Sequence, residues 1–264
     1  YIIVVVFPTV YSLFLSFCDW NGLGAKKFVG LKNYIQLFTS DSVFYTALRN
    51  NIIWIILTIC LTVLLALLLA LVLNRSYRAI FYFPYMLSWI IVGIIWKWMY
   101  NPNFGLINQV LGMVGLDSLK GAYLSNTKMA LYCVFIAALW QGLGQPMLYF
   151  LAGLQTLPND ILEAAKIDGA GKFNLFFRVI VPMLKETFVI VLATQIIASM
   201  KVYDIVYVMT DGGPANSTQT LATYMYNQTF TYSNLGVGSA IATVMVLIMM
   251  VVIVPYVAFS TKDE

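Results

Sequence analysis

Histidine is absent from this 264-residue chain, which removes the commonest general base and the commonest metal ligand. Without it, no Ser/His/Asp or Cys/His nucleophilic set can be assembled. Cysteine is scarce: Cys18, Cys60 and Cys133 fall in or beside apolar segments with no paired spacing. They read as small core hydrophobes, with no disulfide framework and no metal site. No Walker A arrangement of Gly, Lys and Ser/Thr occurs, so the chain does not bind and hydrolyse ATP by itself. Charge is thin, with 10% Asp, Glu, Lys and Arg against 61% hydrophobic residues, well outside the usual globular mix. Such a chain cannot hide its apolar surface in one soluble core, so it is expected to be an all-α polytopic membrane protein. The formal net charge of +4 needs no nucleic-acid partner, because cationic loops at a lipid surface account for it.

What is present is a succession of apolar segments, which predicts six transmembrane helices. They cover residues 2–17, 51–73, 80–98, 128–156, 183–209 and 235–260. The first is short and the sequence starts inside it. A secretory signal is the rival reading, but there is no basic n-region and Cys18-Asp19-Trp20 is wrong for a cleavage site. It reads as a membrane helix whose cytoplasmic lead-in lies before Tyr1. Residues 1–48 then comprise this helix and an external loop, 49–260 the main membrane domain, and 261–264 a short cytoplasmic tail. Asn74-Arg75-Ser76-Tyr77-Arg78 reads as a tight basic hairpin, and Trp89, Trp96, Trp98 and Tyr100 as an interfacial aromatic belt beside which Lys97 snorkels. Residues 128–156 are too long for one straight span and hold Gly142, Gly144 and Pro146 in their middle, which predicts a kinked or partly unwound helix.

The fifth apolar segment carries Gln195, Lys201 and Asp204 at membrane depth. Lys201 and Asp204 are three apart, a spacing at which two charges on one helix pair; the alternative is a role in the transport path. No paired carboxylates sit within a span (Glu186 and Asp204 are eighteen residues apart), so a proton relay or carboxylate sodium site is not evident. With six spans, the 74–78 segment, residues 157–182 and the tail share one side. Those short segments, with Lys185 just past the end of the second, supply Arg75, Arg78, Lys166, Lys172, Arg178, Lys185 and Lys262. The opposite loops spread a similar number of cations over a greater length, so density makes the first side cytoplasmic.

Residues 157–182, LPNDILEAAKIDGAGKFNLFFRVIVP, are the longest polar interval between apolar segments in the C-terminal half. Pro158 suits a first helical turn, and Asp160 and Glu163 place negative charge on the positive end of the dipole. Ile161, Leu162, Ala165 and Ile167 supply an apolar stripe, and Gly169 after Asp168 is a stop signal. A short amphipathic helix between two spans is either an interfacial float or a docking surface for another protein.

Glu163-Ala164-Ala165, then Asp168-Gly169-Ala170, then Ile180 and Pro182, resemble the EAA loop of binding-protein-dependent ABC importer permeases. Gly30-Leu31-Lys32-Asn33-Tyr34, Tyr203-Asp204-Ile205-Val206-Tyr207-Val208-Met209, Thr210-Asp211-Gly212-Gly213-Pro214, Ser217-Thr218 and Leu221-Ala222-Thr223-Tyr224 extend the likeness over the chain. They are similar to the carbohydrate, maltose-permease-like branch. The resemblance implies a type I ABC importer permease fold in a bacterial cytoplasmic membrane. It also implies a non-catalytic subunit partnered by a second homologous permease, two ATPase subunits that hold ATP and Mg²⁺, and an extracellular solute-binding protein, with a sugar as cargo. A related cargo such as a glycerol-phosphate ester stays open, as does a self-sufficient secondary transporter or channel. By the resemblance, Ile161, Leu162, Glu163, Ala164, Ala165, Lys166, Ile167, Asp168 and Gly169 form the helix that couples to the ATPases. In the same way Leu143, Gly144, Met147, Gln195, Ala198, Ser199 and Val202 map onto the substrate path, and Gln195, Ser199 and Val202 are expected on one helical face.

Overall fold

The computed structural model describes residues 1–73 and 75–260. It is almost entirely helical; among the described residues the strand pairing is a single short antiparallel ladder, Cys18–Asp19 with Lys27–Phe28. Two unbroken helices are long and apolar enough to cross a membrane, Ser42–Val72 with 31 residues and Leu235–Tyr256 with 22. Three further apolar helix pairs are bent: Tyr77–Met86 with Trp89–Met99 by 100°, Asp117–Ser125 with Ala130–Gly142 by 90°, and Lys185–Met200 with Asp204–Thr210 by 41°. Ile2–Leu15 is a shorter apolar helix.

The differences from the sequence reading have local causes. The second apolar helix begins at Ser42, well before residue 51, because Asp41 caps it: its Oδ1 accepts the Phe44 N–H at 2.9 Å. Polar Thr46, Arg49 and Asn50 hide this first stretch from a hydropathy scan. The expected basic hairpin is instead the start of helix Arg75–Tyr82, Asn74 lying outside the described residues. That helix does not run on as a straight span. Pro84 opens a 3₁₀ turn over Phe83–Met86, Leu87 is extended, and Ser88 starts a new helix by accepting the Ile90 N–H. Lys97 is exposed, and its Nζ donates to the Val208 carbonyl at 3.2 Å.

The fourth segment breaks at Leu143, as its glycines and proline predict, but it kinks without unwinding. Leu143 keeps helical dihedrals (φ −67°, ψ −30°), and the helix resumes at Gly144. Pro146 has no N–H to return to the Gly142 carbonyl, which explains the interruption. The fifth segment stops at Met200 and restarts at Asp204. Lys201 and Asp204 are therefore not on one helix, and no ion pair joins them among the described residues. Val202 also leaves the helical face that Gln195 and Ser199 share. The sixth segment runs Leu235–Ser260 through Pro255. The tail 261–264, with Lys262, lies outside the described residues.

Two compact units form. One comprises Tyr1–Ile55, Ser88–Ala138 and Ala198–Val251; the other Ile56–Leu87, Leu139–Ile197 and Val252–Glu264. The first packs Phe44 and Ala47 with Leu37, Met200, Leu221, Ala240 and Ile241. A buried amide clamp runs through it. Asn51 Nδ2 donates to the Ser199 carbonyl at 2.9 Å while its Oδ1 accepts the Leu221 N–H at 2.7 Å. Asn50 Nδ2 donates to the Ser217 and Gln219 carbonyls, both at 2.8 Å. Asp41 serves twice, because its Oδ2 also accepts the Tyr224 hydroxyl; burial, then that bond, push the Tyr224 phenol well above its usual range. The second unit packs Val63, Ala66, Leu67 and Ala70 against Met147, Phe150, Leu151, Leu184 and Val191.

Asn51→Ala is expected to strand the Leu221 N–H in the core, costing about 1–3 kcal/mol; a melting transition in detergent as high as that of the wild type would contradict the clamp. Gly93 is a second tight point, since a Cβ there would lie 2.9 Å from Val208 Cγ1. Gly93→Leu should therefore destabilise by about 1–3 kcal/mol, and Val208→Ala in the same chain should recover part of the loss in the same melting assay.

Candidate functional site

The 157–182 stretch builds a short, tightly terminated helix on the second unit. Pro158, with φ −63° and ψ 124°, precedes the first turn, and the helix runs Asn159–Ile167. Asp160 in the first turn and Lys166 in the last complement the helix dipole. At the far end the Ala170 N–H bonds the Ala165 carbonyl at 3.0 Å and the Gly169 N–H bonds the Lys166 carbonyl at 3.1 Å. This is a Schellman stop, with Gly169 at φ +81° in the left-handed region. A side chain there would meet no neighbour, so the demand on Gly169 is purely one of backbone conformation.

The apolar stripe divides between two directions. Leu162 and Ala165 are half-buried against their own chain, whereas Ile161, Glu163, Ala164, Lys166, Ile167 and Asp168 are exposed, Ile167 at 85%. The stripe therefore does not offer all its apolar residues outward, as an even docking face would. Beyond Gly171 the chain turns into helix Lys172–Leu175 and a wider, π-type turn over Phe176–Ile180. Phe173 and Phe177 contact each other, tilted by 45° with centroids 4.4 Å apart, and remain exposed at 74% and 52%. Leu157, Phe176 and Ile180 insert towards the core built on Phe150 and Leu184. The stretch is thus fastened at both ends to a packed core, while Ile161, Ile167, Phe173 and Phe177 stand outside it. Spacing on one helix foretold the amphipathic character; the exposed phenylalanine pair lies on the next element and was not singled out.

The residues mapped to the substrate path have varied surroundings. In the second unit Gly144 sits against Tyr82 and Tyr85, where a Cβ would lie 2.9 Å from Tyr85 Cβ. Met147 is fully buried in the apolar core, and Leu143 is half-buried at its edge. Gln195 is buried. In the first unit Ser199 is buried and its carbonyl is held by Asn51, Ala198 is exposed, and Val202 lies in the break with its carbonyl accepting from Thr220 Oγ1 at 2.9 Å. Leu143, Gly144 and Met147 are adjacent on one turn; Gln195 and Ser199 share a helix that Val202 has left. Sequence reasoning passed over Gln141. Its Nε2 donates to the Leu87 carbonyl at 2.6 Å, and its Oε1 is buried without a partner. The signal was a lone amide in an apolar run.

With this geometry in hand, the chain compares closely with known proteins. The family model described as binding-protein-dependent transport system inner membrane component matches residues 58–261. A probable ABC transporter permease protein of Pyrococcus horikoshii is 38% identical, over 99% of this chain and 92% of its own. The sulfoquinovosyl glycerol transport system permease protein of Agrobacterium fabrum is 34% identical, over 99% of this chain and 87% of its own. Among solved structures, a bacterial alginate ABC transporter in complex with an alginate pentasaccharide-bound periplasmic protein aligns with a TM-score of 0.84 at 18% identity, covering 99% of this chain and 90% of that one. The chain belongs to the binding-protein-dependent transport system inner membrane components and is a permease subunit of an ABC importer.

Proposed function

We propose that this permease forms the translocation path of an ATP-driven sugar importer together with a second, homologous permease, each crossing a bacterial cytoplasmic membrane six times. Two cytoplasmic ATPase subunits hold ATP and Mg²⁺, and an extracellular solute-binding protein delivers the sugar. In this reading residues 157–182 are the coupling element. The observation that carries it is the exposure of Ile161, Ile167, Phe173 and Phe177 next to Glu163 and Asp168, on a stretch anchored through Phe176 and Ile180. An interfacial float needs neither a stop at Gly169 nor a packed root. A lever needs both, because a movement imposed on the helix by the ATPases has to reach the spans without being absorbed by local bending. Ala164, exposed and small, lets a partner approach closely, and the Glu163 carboxylate offers a charged contact to a basic partner group.

Sugar as cargo is supported by the sulfoquinovosyl glycerol and alginate transporters to which the chain is similar. Of the residues assigned to the path, Ala198, Leu143 and Val202 are the ones with exposed surface, so they are where solute contact is expected. Gly144, Met147, Gln195 and Ser199 are buried. A glycerol-phosphate ester remains the alternative cargo.

In proteoliposomes holding the assembled importer, Glu163→Lys is expected to cut ATP-dependent sugar uptake at least tenfold, about 1.4 kcal/mol or more of lost coupling, with no change in the melting transition. Wild-type uptake in that variant would overturn the coupling role. Transport by the purified chain alone, without ATP and driven by an ion gradient, would replace the whole reading with a secondary transporter. Gly169→Val, which forces a branched side chain into the left-handed region at a cost of about 1–2 kcal/mol, should reduce uptake in the same assay although residue 169 has open space around it.

A further inference from the structure

Four aromatic rings in the first unit form one continuous ladder. Tyr203 and Tyr207 lie 5.3 Å apart with planes 18° from parallel. Tyr226 is 5.0 Å from Tyr203 and 5.8 Å from Tyr207, and Phe230 is 4.9 Å from Tyr226. Three pieces of backbone contribute: the break after Met200, the helix Asp204–Thr210, and the helix Leu221–Tyr226 with its continuation Asn227–Thr231.

The ladder is not needed to pack these elements. Helix Asp204–Thr210 already buries Ile205, Val206 and Met209, and its Val208 meets Gly93. Leu221, Ala222 and Tyr224 bury the other helix. Tyr203 and Tyr226 are half-buried, Tyr203 against the core, while the outer rings stay open: Tyr207 is 42% and Phe230 68% exposed. Polar groups stand at the foot of the ladder. Asp204 and Lys201 are both exposed, with no ion pair between them among the described residues. An interfacial belt presents aromatic rings to headgroups one by one; here they contact one another, one pair stacked and the rest tilted or edge-on, around a helix break, the kind of place where transporters put solute sites.

We propose that this ladder is a sugar-stacking subsite, built from residues other than those assigned to the path. The apolar C–H face of a pyranose lies on the open ring of Tyr207 or Phe230, and phenolic hydroxyls and the Asp204 carboxylate take its hydroxyl groups. It rests on the sugar-importer reading given above. Three ring hydroxyls and one carboxylate suit a neutral, hydroxyl-rich solute, and Lys201 extends the same surface to an acidic sugar.

The test uses the assembled importer in proteoliposomes and measures uptake of radiolabelled maltose, xylose and sulfoquinovosyl glycerol per intact complex, for wild type, Tyr207→Ala, Tyr207→Phe and Phe230→Ala. For whichever sugar the wild type carries, the two alanine variants are expected to lose roughly three- to tenfold in rate, and Tyr207→Phe, which keeps the ring, to lose less. Size-exclusion elution shows whether each complex is intact. Wild-type rates in both alanine variants would overturn the subsite and leave the rings as a belt, with sugar transport still standing. Absence of uptake of every sugar by the wild type would overturn the sugar reading and the ladder with it.

Discussion

A helix broken inside an apolar protein uncovers backbone N–H and C=O groups that hydrocarbon cannot satisfy, at several kcal/mol each. This structure depends on meeting that demand from within each unit. Where the fifth segment ends, Thr220 Oγ1 bonds the Val202 carbonyl and Asn51 bonds the Ser199 carbonyl. At the 100° bend, Gln141 Nε2 bonds the Leu87 carbonyl. Lys97 Nζ takes the Val208 carbonyl in the following half-helix. Several of the polar side chains of a strongly apolar chain therefore serve its breaks. Each amide or hydroxyl substitutes for a backbone bond that a straight helix would have made for itself.

The same economy explains why the breaks tolerate an open surface. Once the backbone is satisfied from one side, the other side of a short half-helix is free to carry side chains with another task. On Asp204–Thr210 the inner face is Ile205, Val206 and Met209, and the outer face carries Tyr207. On residues 157–182 the division is similar: Leu162 and Ala165 turn inward, and Ile161 and Ile167 turn out. The two places differ in what fixes them. The first relies on side-chain bonds to carbonyls. The second relies on the Gly169 stop and the aliphatic and aromatic root of Leu157, Phe176 and Ile180. A root of that kind suits a part that receives force, because close-packed side chains transmit displacement with little compliance.

Much of this was legible beforehand for identifiable reasons. Composition dictates a helical membrane protein because nothing else satisfies the backbone of so apolar a chain. Gly142, Gly144 and Pro146 mark an interruption since Pro146 removes a definite hydrogen bond. Asp160, Lys166 and Gly169 delimit a helix through dipole and dihedral preferences that act within a few residues. The EAA, DGA and TDGGP stretches point to the family because they are strings, and the family match bears that out.

What only the tertiary structure decided concerns partners distant in sequence. That Ser42 starts a helix depends on Asp41, but that the helix matters there depends on Asn50 and Asn51 reaching residues 199–221, across some 150 positions or more. The third span is interrupted locally at Pro84 and Leu87, but only the fold brings Gln141 to the Leu87 carbonyl that the break uncovers. The separation of Lys201 from Asp204, and of Val202 from Gln195 and Ser199, follows from a break that periodicity cannot register, since the residues on both sides remain apolar. A hydropathy pattern reports how much a residue prefers lipid or protein to water. It carries no term for which distant carbonyl an amide will serve, and in this protein that choice determines where the helices stop.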